Sequence, residues 1–259
     1  MNIVTGYMGF IGSHICDRIS DIFAVEQNDC FEFLQNFKDW SKVKFIYHLG
    51  AISDTTCTDI AKIYKYNIDF SLQLFEKAIE YQIPIRYASS ASVYGNTYGS
   101  INPLNHYAMS KASIDLWVED NMHRFNHIQG LRFFNVYGNG EEHKGNQASP
   151  VSKFRKEVKE RGTISIFEDS ESYYRDFICV EDLVDIMVDN KLASGIYDLG
   201  TSNPVSFCDV ANSIQQRYGG TIKVIPFPNH LVGKYQKSTK AKQVFPHTFK
   251  TVSQWLDEN

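Results

Sequence analysis

Ile3-Val4-Thr5-Gly6-Tyr7-Met8-Gly9-Phe10-Ile11-Gly12 is the stretch that decides the fold of this chain. A short apolar run leads directly into three glycines spaced as GxxGxxG, and Ile11, Ile15 and Ile19 then follow at helical spacing. In such a strand-turn-helix, Gly6 permits the tight turn, Gly9 lets a pyrophosphate approach the backbone, and Gly12 lets the helix pack closely on the strand. The N–H groups that open the helix, from Phe10 and Ile11 onward, would face the phosphates. Three glycines this close occur in many turns. Their place between a β-type run and an amphipathic stretch marks this turn as one that binds a dinucleotide.

Working outward, Asp21-Ile-Phe-Ala-Val-Glu26 reads as the second strand, with Glu26 placed to accept hydrogen bonds from the adenosine ribose. A carboxylate there repels a 2′-phosphate and favours NAD over NADP; the alternative is an ordinary exposed glutamate. Fourteen positions separate Gly12 from Glu26, fewer than the usual ~20. The intervening helix is therefore short, or a strand is missing.

Lys44 to Ala51 reads as a buried strand ending in the small-residue turn Leu49-Gly50-Ala51. Asp54, Thr55 and Thr56 follow at the carboxyl end, where α/β sheets bind ligands. Asp59 to Tyr81 predicts a helix with Ile60, Ile63, Tyr64, Ile68, Leu72, Phe75 and Ile79 on its apolar face. Asn67 lies within that pattern, either as a structural staple or as a positioner of the active-site turn. Ile83 to Gly95 gives a strand and then the hydroxyl-rich turn Ser89-Ser90-Ala-Ser92.

Tyr107 and Lys111 come next, four residues apart in Tyr-Ala-Met-Ser-Lys and so on one face of a helix. A lysine ammonium beside a phenol favours the phenolate, which predicts a tyrosine able to exchange a proton near neutral pH. Ser90 can donate to a substrate oxygen while Tyr107 exchanges its proton. A proton carrier and a dinucleotide turn in one chain imply oxidation of an alcohol carbon.

Composition excludes other classes. A formal net charge of -4 offers no basic footprint for nucleic acid or anionic lipid. No run approaches the ~20 apolar residues of a membrane helix. Cys16, Cys30, Cys57, Cys179 and Cys208 form no CxxC pair. With no basic, apolar leader at the start, a reducing cytoplasm is the expected compartment. His123-x-x-x-His127 lacks the glutamate of a zinc-protease arrangement, and no metal site is expected.

The Thr5-Gly-x-x-Gly-Phe-Ile-Gly start, the Ser-Ser-Ala-Ser-Val-Tyr-Gly turn and Tyr107-x-x-x-Lys111 together resemble the extended short-chain dehydrogenase/reductases, the nucleotide-sugar epimerases and dehydratases. Leu131-Arg-Phe-Phe-Asn135-Val-Tyr-Gly138 and Arg175-Asp-Phe-Ile-Cys-Val-Glu-Asp182 extend the likeness over essentially the whole chain. The implied fold is α/β, a Rossmann-type doubly wound parallel sheet in residues 1–137 with a smaller substrate-binding lobe in 138–259, strands interleaving between them. The implied cofactor, NAD or NADP, would be held by Gly6, Gly9, Phe10, Ile11, Gly12, Glu26, Leu49, Gly50, Ala51, Asn67, Tyr107, Lys111 and Phe134.

The C-terminal third, from Glu142-His143-Lys144-Gly145 to Tyr235-Gln236, is similar to the ADP-glyceromanno-heptose 6-epimerases. The resemblance implies that Lys144 is a second catalytic base beside Ser90, Tyr107 and Lys111. Substrate contacts would map to Asp54, Thr55, Asn135, Lys144, Arg175 and Tyr235; a guanidinium fork at Arg175 suits a pyrophosphate. Asp54 stands where those relatives have serine. The segments after Ser20 and between Ser90 and Tyr107 are shorter than theirs, and the loop that contacts a cofactor 2′-phosphate is missing. A nucleotide-sugar substrate and a homo-oligomer are expected. The alternatives are a 4-epimerase or 4-reductase, which has no need of Lys144, a 4,6-dehydratase, which needs Asp-Glu where Ala91-Ser92 stand, and a non-catalytic dinucleotide-binding protein.

Overall fold

A computed structural model of the chain describes residues 1–97, 99–229, 232 and 236–259, with the side chain of residue 146 left aside. The chain forms two compact units, neither continuous in sequence. The first comprises Met1–Gly95, Ile101–Phe133 and Val184–Tyr197; the second comprises Asn96–Ser100, Phe134–Leu183 and Asp198–Asn259.

The first unit opens with β1 (Asn2–Thr5), α1 (Phe10–Arg18), β2 (Ile22–Val25) and α2 (Cys30–Asn36). Then come β3 (Phe45–His48), α3 (Ile60–Ile63), a π-helical turn (Tyr64–Asp69), α4 (Phe70–Glu80), β4 (Ile85–Ser90), α5 (His106–Asn121) and β5 (Ile128–Phe133). Strands β2, β1, β3, β4 and β5 pair in parallel, in that order. This is the alternating α/β sheet that the glycine turn predicted. The short spacing between Gly12 and Glu26 is met by a short helix. Helix α1 has only nine residues, and among the described residues β2 is the edge strand of the sheet. Ile3, Val25, Ile46, Phe70, Leu74, Ile85, Ile114 and Ile128 belong to the first unit's apolar core.

The predicted helix over 59–81 is present but interrupted. Asp59 caps it by accepting from the Lys62 amide at 2.9 Å. The π-helical turn then widens the spiral and rotates the buried stripe. As a result Ile60 and Tyr64, expected on the apolar face, are 57% and 61% exposed. The stripe instead runs through Ile63, Asn67, Ser71, Leu74 and Ala78, all buried.

The second unit holds β6 (Asn135–Tyr137), α6 (Pro150–Arg161), β7 (Thr163–Phe167), β8 (Tyr174–Arg175) and β9 (Phe177–Cys179). Helix α7 (Val180–Asp189) and β10 (Gly195–Leu199) run across the boundaries of the units, and β10 joins the main sheet beside β5. Strand β11 (Val205–Ser206), α8 (Phe207–Tyr218), β12 (Thr221–Ile225) and α9 (Val252–Glu258) complete the second unit. Its core gathers Tyr137, Val151, Ile164, Phe177, Ile214 and Trp255. Among the described residues, no helix is long and apolar enough to cross a membrane.

Candidate active site

The glycine turn has the backbone that its sequence requires. Gly6 has φ +70°, and a Cβ there would lie 2.7 Å from the Gly50 Cα. At Gly12 a Cβ would come within 2.0 Å of the Gly6 carbonyl oxygen, so the helix sits against the turn with no room for a side chain. Gly9 differs, since a Cβ there meets only the Gly6 oxygen, at 3.2 Å. No side chain caps α1 at Gly9, so the helix opens with its amide dipoles available to an anion. Glu26 follows β2, and its Oε1 accepts from the Met8 amide at 2.7 Å. The turn, the helix start and this carboxylate together fit a dinucleotide.

Behind the turn lies a buried hydrogen-bond relay that the sequence reading missed. The Gly50 amide donates to Thr5 Oγ1 at 3.0 Å, and Thr5 Oγ1 lies 2.7 Å from His48 Nδ1. His48 Nε2 is 2.7 Å from Ser71 Oγ, and Ser71 Oγ donates to the Asn67 carbonyl at 2.6 Å. The Ser71 end fixes the direction of the bonds. Ser71 spends its own proton on Asn67 and so accepts from Nε2, and in the neutral ring Nδ1 then accepts from Thr5. His48 is therefore the neutral Nε2–H tautomer. Burial, with the charge of Lys111 second, holds its pKa down at about 3.

Asn67 carries the relay forward. Its side chain accepts from the Ile52 amide at 2.7 Å and donates to the Ile52 carbonyl at 3.0 Å, stapling the turn that contains Leu49, Gly50 and Ala51. The same amide group donates to Ser110 Oγ at 3.0 Å, and Ser110 donates to the Tyr107 carbonyl at 2.7 Å. Asn67 is a staple, and through Ser110 it also reaches the helix bearing Tyr107. In the next loop, Asp54 Oδ1 accepts from the Thr56 hydroxyl at 2.6 Å and the Thr56 amide at 2.8 Å, which lowers the pKa of its carboxyl. Thr55 is exposed beside it.

Ser90, Tyr107 and Lys111 are brought together where β4 ends and α5 begins. Asn105 caps α5 through the Ala108 amide at 2.8 Å, and Tyr107 lies in its first turn. The Tyr107 phenol hydrogen-bonds Ser90, and Ser90 Oγ accepts from the Ser92 hydroxyl at 2.9 Å and the Ser92 amide at 3.1 Å. The expected effect of Lys111 on the phenol is not what this geometry produces. Burial raises the pKa of Tyr107; the Ser90 bond opposes this and the charge of Asp115 adds to it. The Lys111 ammonium is directed instead at the Ala88 carbonyl, 2.7 Å away. Burial draws its own pKa down to about 8, against the charge of Asp115.

Asp115, one turn beyond Lys111, is a second residue that the sequence reading missed. Its buried carboxylate accepts from Tyr87 at 3.0 Å, Ser89 at 2.9 Å and Arg132 at 2.8 Å, tying α5 to β4 and β5.

The other candidates belong to the second unit. The Phe134 amide donates to the Leu199 carbonyl at 3.1 Å, and the Asn135 amide to that of Asp176 at 3.0 Å. Arg175 is buried, and its guanidinium donates to the carbonyls of Tyr174 at 2.8 Å and Gln236 at 2.6 Å while lying 5.2 Å over the Phe207 ring. Lys144 stands on a 3-10 turn (Glu142–Gln147), with its Nζ 3.6 Å from Oε2 of the buried Glu141. Tyr235 lies outside the described residues.

Comparison with known proteins places the chain in a family. A model described as the NAD dependent epimerase/dehydratase family matches residues 2–189. An ADP-L-glycero-D-manno-heptose-6-epimerase of Brachyspira hyodysenteriae is 35% identical, covering 93% of this chain and 89% of that protein. One of Alkalilimnicola ehrlichii is 33% identical, covering 93% and 88%. The crystal structure of Helicobacter pylori ADP-L-glycero-D-manno-heptose-6-epimerase superposes with a TM-score of 0.81 at 23% identity, covering 99% of this chain and 94% of that one. The chain belongs to the NAD dependent epimerase/dehydratase family.

Proposed function

We propose that this chain inverts carbon 6 of an ADP-linked glycero-manno-heptose, with Tyr107 and Lys144 as its two acid/bases. The observation that carries the reading is a second protonatable amine, Lys144, paired with an internal carboxylate in a chain that already has the hydrogen-bonded Ser90–Tyr107 pair. Two relatives bearing the heptose 6-epimerase name support the substrate class.

Inversion of a carbinol by oxidation and re-reduction leaves the oxygen to lose its proton in one orientation and regain one in the other. Two proton carriers meet that need if the sugar stays nearly centred. Tyr107 exchanges the proton in one orientation, with Ser90 donating to the same oxygen, and Lys144 exchanges it in the other. A bound nicotinamide would accept hydride from the carbon and return it, ending as it began. Lys111 orders the end of β4 through Ala88 and would supply positive charge to a bound cofactor. Asp54, Thr55, Asn135, Arg175 and Tyr235 are the proposed substrate contacts. A 4,6-dehydratase is disfavoured because Ala91 and Ser92 stand where elimination needs carboxylates, and Ser92 is spent on Ser90.

Glu26 points to NAD rather than NADP. Its carboxylate is held at the turn by the Met8 amide and repels a 2′-phosphate. A calorimetric titration should give tighter binding of NAD, and the reverse order would overturn this choice. The activity is tested by incubation with ADP-, GDP- and UDP-sugars, followed by proton NMR for inverted centres. Turnover of ADP-heptose without loss of water is expected. Lys144→Met should slow it by about a hundredfold; a wild-type rate would end the two-base reading.

A further inference from the structure

Glu141 is 1% exposed. Burying a carboxylate is costly unless it is fully bonded and paired, and this one is both. Its Oε1 accepts from the Gly138 amide at 3.1 Å, the Ser149 hydroxyl at 2.7 Å and the Ser152 hydroxyl at 2.7 Å. Its Oε2 accepts from the Ser149 amide at 2.6 Å and faces Lys144 Nζ at 3.6 Å.

These contacts set the path of the lysine-bearing loop. The carboxylate joins the end of β6, through Gly138, to the start of α6, through Ser149 and Ser152. Ser149 is also the cap of that helix, accepting from the Ser152 amide at 3.2 Å. The loop between these anchors bears Lys144, whose own amide donates to the Glu141 carbonyl at 2.9 Å. Main chain and side chain of Lys144 thus refer to the same residue three positions back. Loop closure alone does not call for a negative charge, since amides and hydroxyls are its donors. The group that does call for one is the amine at Oε2. Lys153 also lies within electrostatic reach. Burial lowers the pKa of its amine, and the charges of Glu141 and Lys144 then act in opposite directions.

We propose that Glu141 is a positioning residue that acts through Lys144, holding its amine at the place from which it exchanges a proton with the substrate. The proposal rests on the reading of Lys144 as the second acid/base. The test is a double-mutant cycle on the full chain with ADP-heptose, joining Glu141→Gln to Lys144→Met, with thermal midpoints measured in parallel. Lys144→Met alone should lose about a hundredfold in kcat. Glu141→Gln alone should lose at least about tenfold in kcat with little change in KM, as a misplaced acid/base group does. Added to Lys144→Met, it should cost less than about twofold, because its route to the reaction is already gone.

A full tenfold loss in both backgrounds would make Glu141 a structural residue and overturn the proposal with the two-base reading intact. So would wild-type kcat in Glu141→Gln. A loss that persists beside Lys144→Met but vanishes beside Lys153→Met would assign the carboxylate to Lys153 and overturn it equally. A wild-type rate in Lys144→Met would instead sink the reading beneath it. Should Glu141→Gln fail to fold, Glu141→Asp goes through the same cycle. Its side chain is one methylene shorter and draws the carboxylate away from Lys144, so a loss in kcat that disappears beside Lys144→Met is expected. No loss, or an equal loss in both backgrounds, overturns the proposal.

Discussion

Lys111 Nζ donates to the carbonyl oxygen of Ala88 at 2.7 Å. The bond ties the helix bearing Tyr107 to the strand that ends in Ser90, and it does so with a buried ammonium. Burial costs that charge its hydration, and its pKa falls from 10.5 to about 8. The folded state thus binds the proton less tightly than the unfolded chain. The penalty is full below pH 8, on the order of 3 kcal/mol, and is relieved as pH rises from about 8 to 10.5. Lys111→Met should therefore be no less stable than the parent at pH 7 while losing about a hundredfold or more in activity. Denaturant midpoints from pH 7 to 10.5 check the sign, and the parent should gain on the variant across that range.

Tyr107→Phe should cost about a hundredfold in kcat, the scale of a lost acid/base group. Ser90→Ala is the more informative change. The Ser90 bond opposes the rise in the phenol's pKa that burial imposes, so its removal should carry the basic limb of the rate profile to higher pH. A rate profile measured with ADP-heptose checks this; a limb that stays in place would separate Ser90 from the proton step.

His48 predicts a distinct acid sensitivity. Its pKa falls from 6.5 to about 3 on folding, so the neutral ring contributes stability that is complete above pH 6.5. That stability is lost as pH falls from there towards 3, because the unfolded chain takes up a proton that the folded one refuses. A protonated ring would also turn a donor towards Thr5, whose oxygen already accepts from Gly50. His48→Gln should flatten the fall in urea midpoint between pH 6.5 and 4, at the cost of lower stability at pH 7. An unchanged slope would remove His48 from the acid transition.

The glycine turn, Ser90, Tyr107 and Lys111 were legible because each is a short run whose spacing alone carries its geometry. Thr5 and His48 were not, since their bond joins positions 43 apart in sequence. His48 left only a faint trace, one polar residue in the apolar run Phe45-Ile-Tyr-His-Leu. Spacing also conveyed nearness without direction. Lys111 lies one helical turn from Tyr107, yet its ammonium meets Ala88. Ile60 and Tyr64 were misjudged because no pattern in the sequence announces a π-helical turn. Glu141 carried no signal of its own, since the Ser149 and Ser152 hydroxyls that bond it come from later in the chain.

Gly9 and Gly12 should separate binding from folding. A Cβ at Gly12 would lie 2.0 Å from the Gly6 carbonyl oxygen and 2.9 Å from the Tyr7 Cα, all backbone that cannot turn aside. Gly12→Ala must push α1 off the turn, an overpacking that costs about 1–3 kcal/mol or more. A Cβ at Gly9 meets a single atom at 3.2 Å, which a shift of a few tenths of an ångström relieves, and so Gly9→Ala should keep nearly the parent's thermal midpoint. That methyl nevertheless stands where the turn would receive a pyrophosphate, and NAD affinity should fall by at least about tenfold. Thermal melts with and without NAD distinguish the two variants. Gly12→Ala should melt early in both conditions, while Gly9→Ala should melt normally alone and lose the rise in midpoint that NAD gives the parent. A Gly9→Ala protein that keeps that rise would show that the pyrophosphate does not lie over this turn.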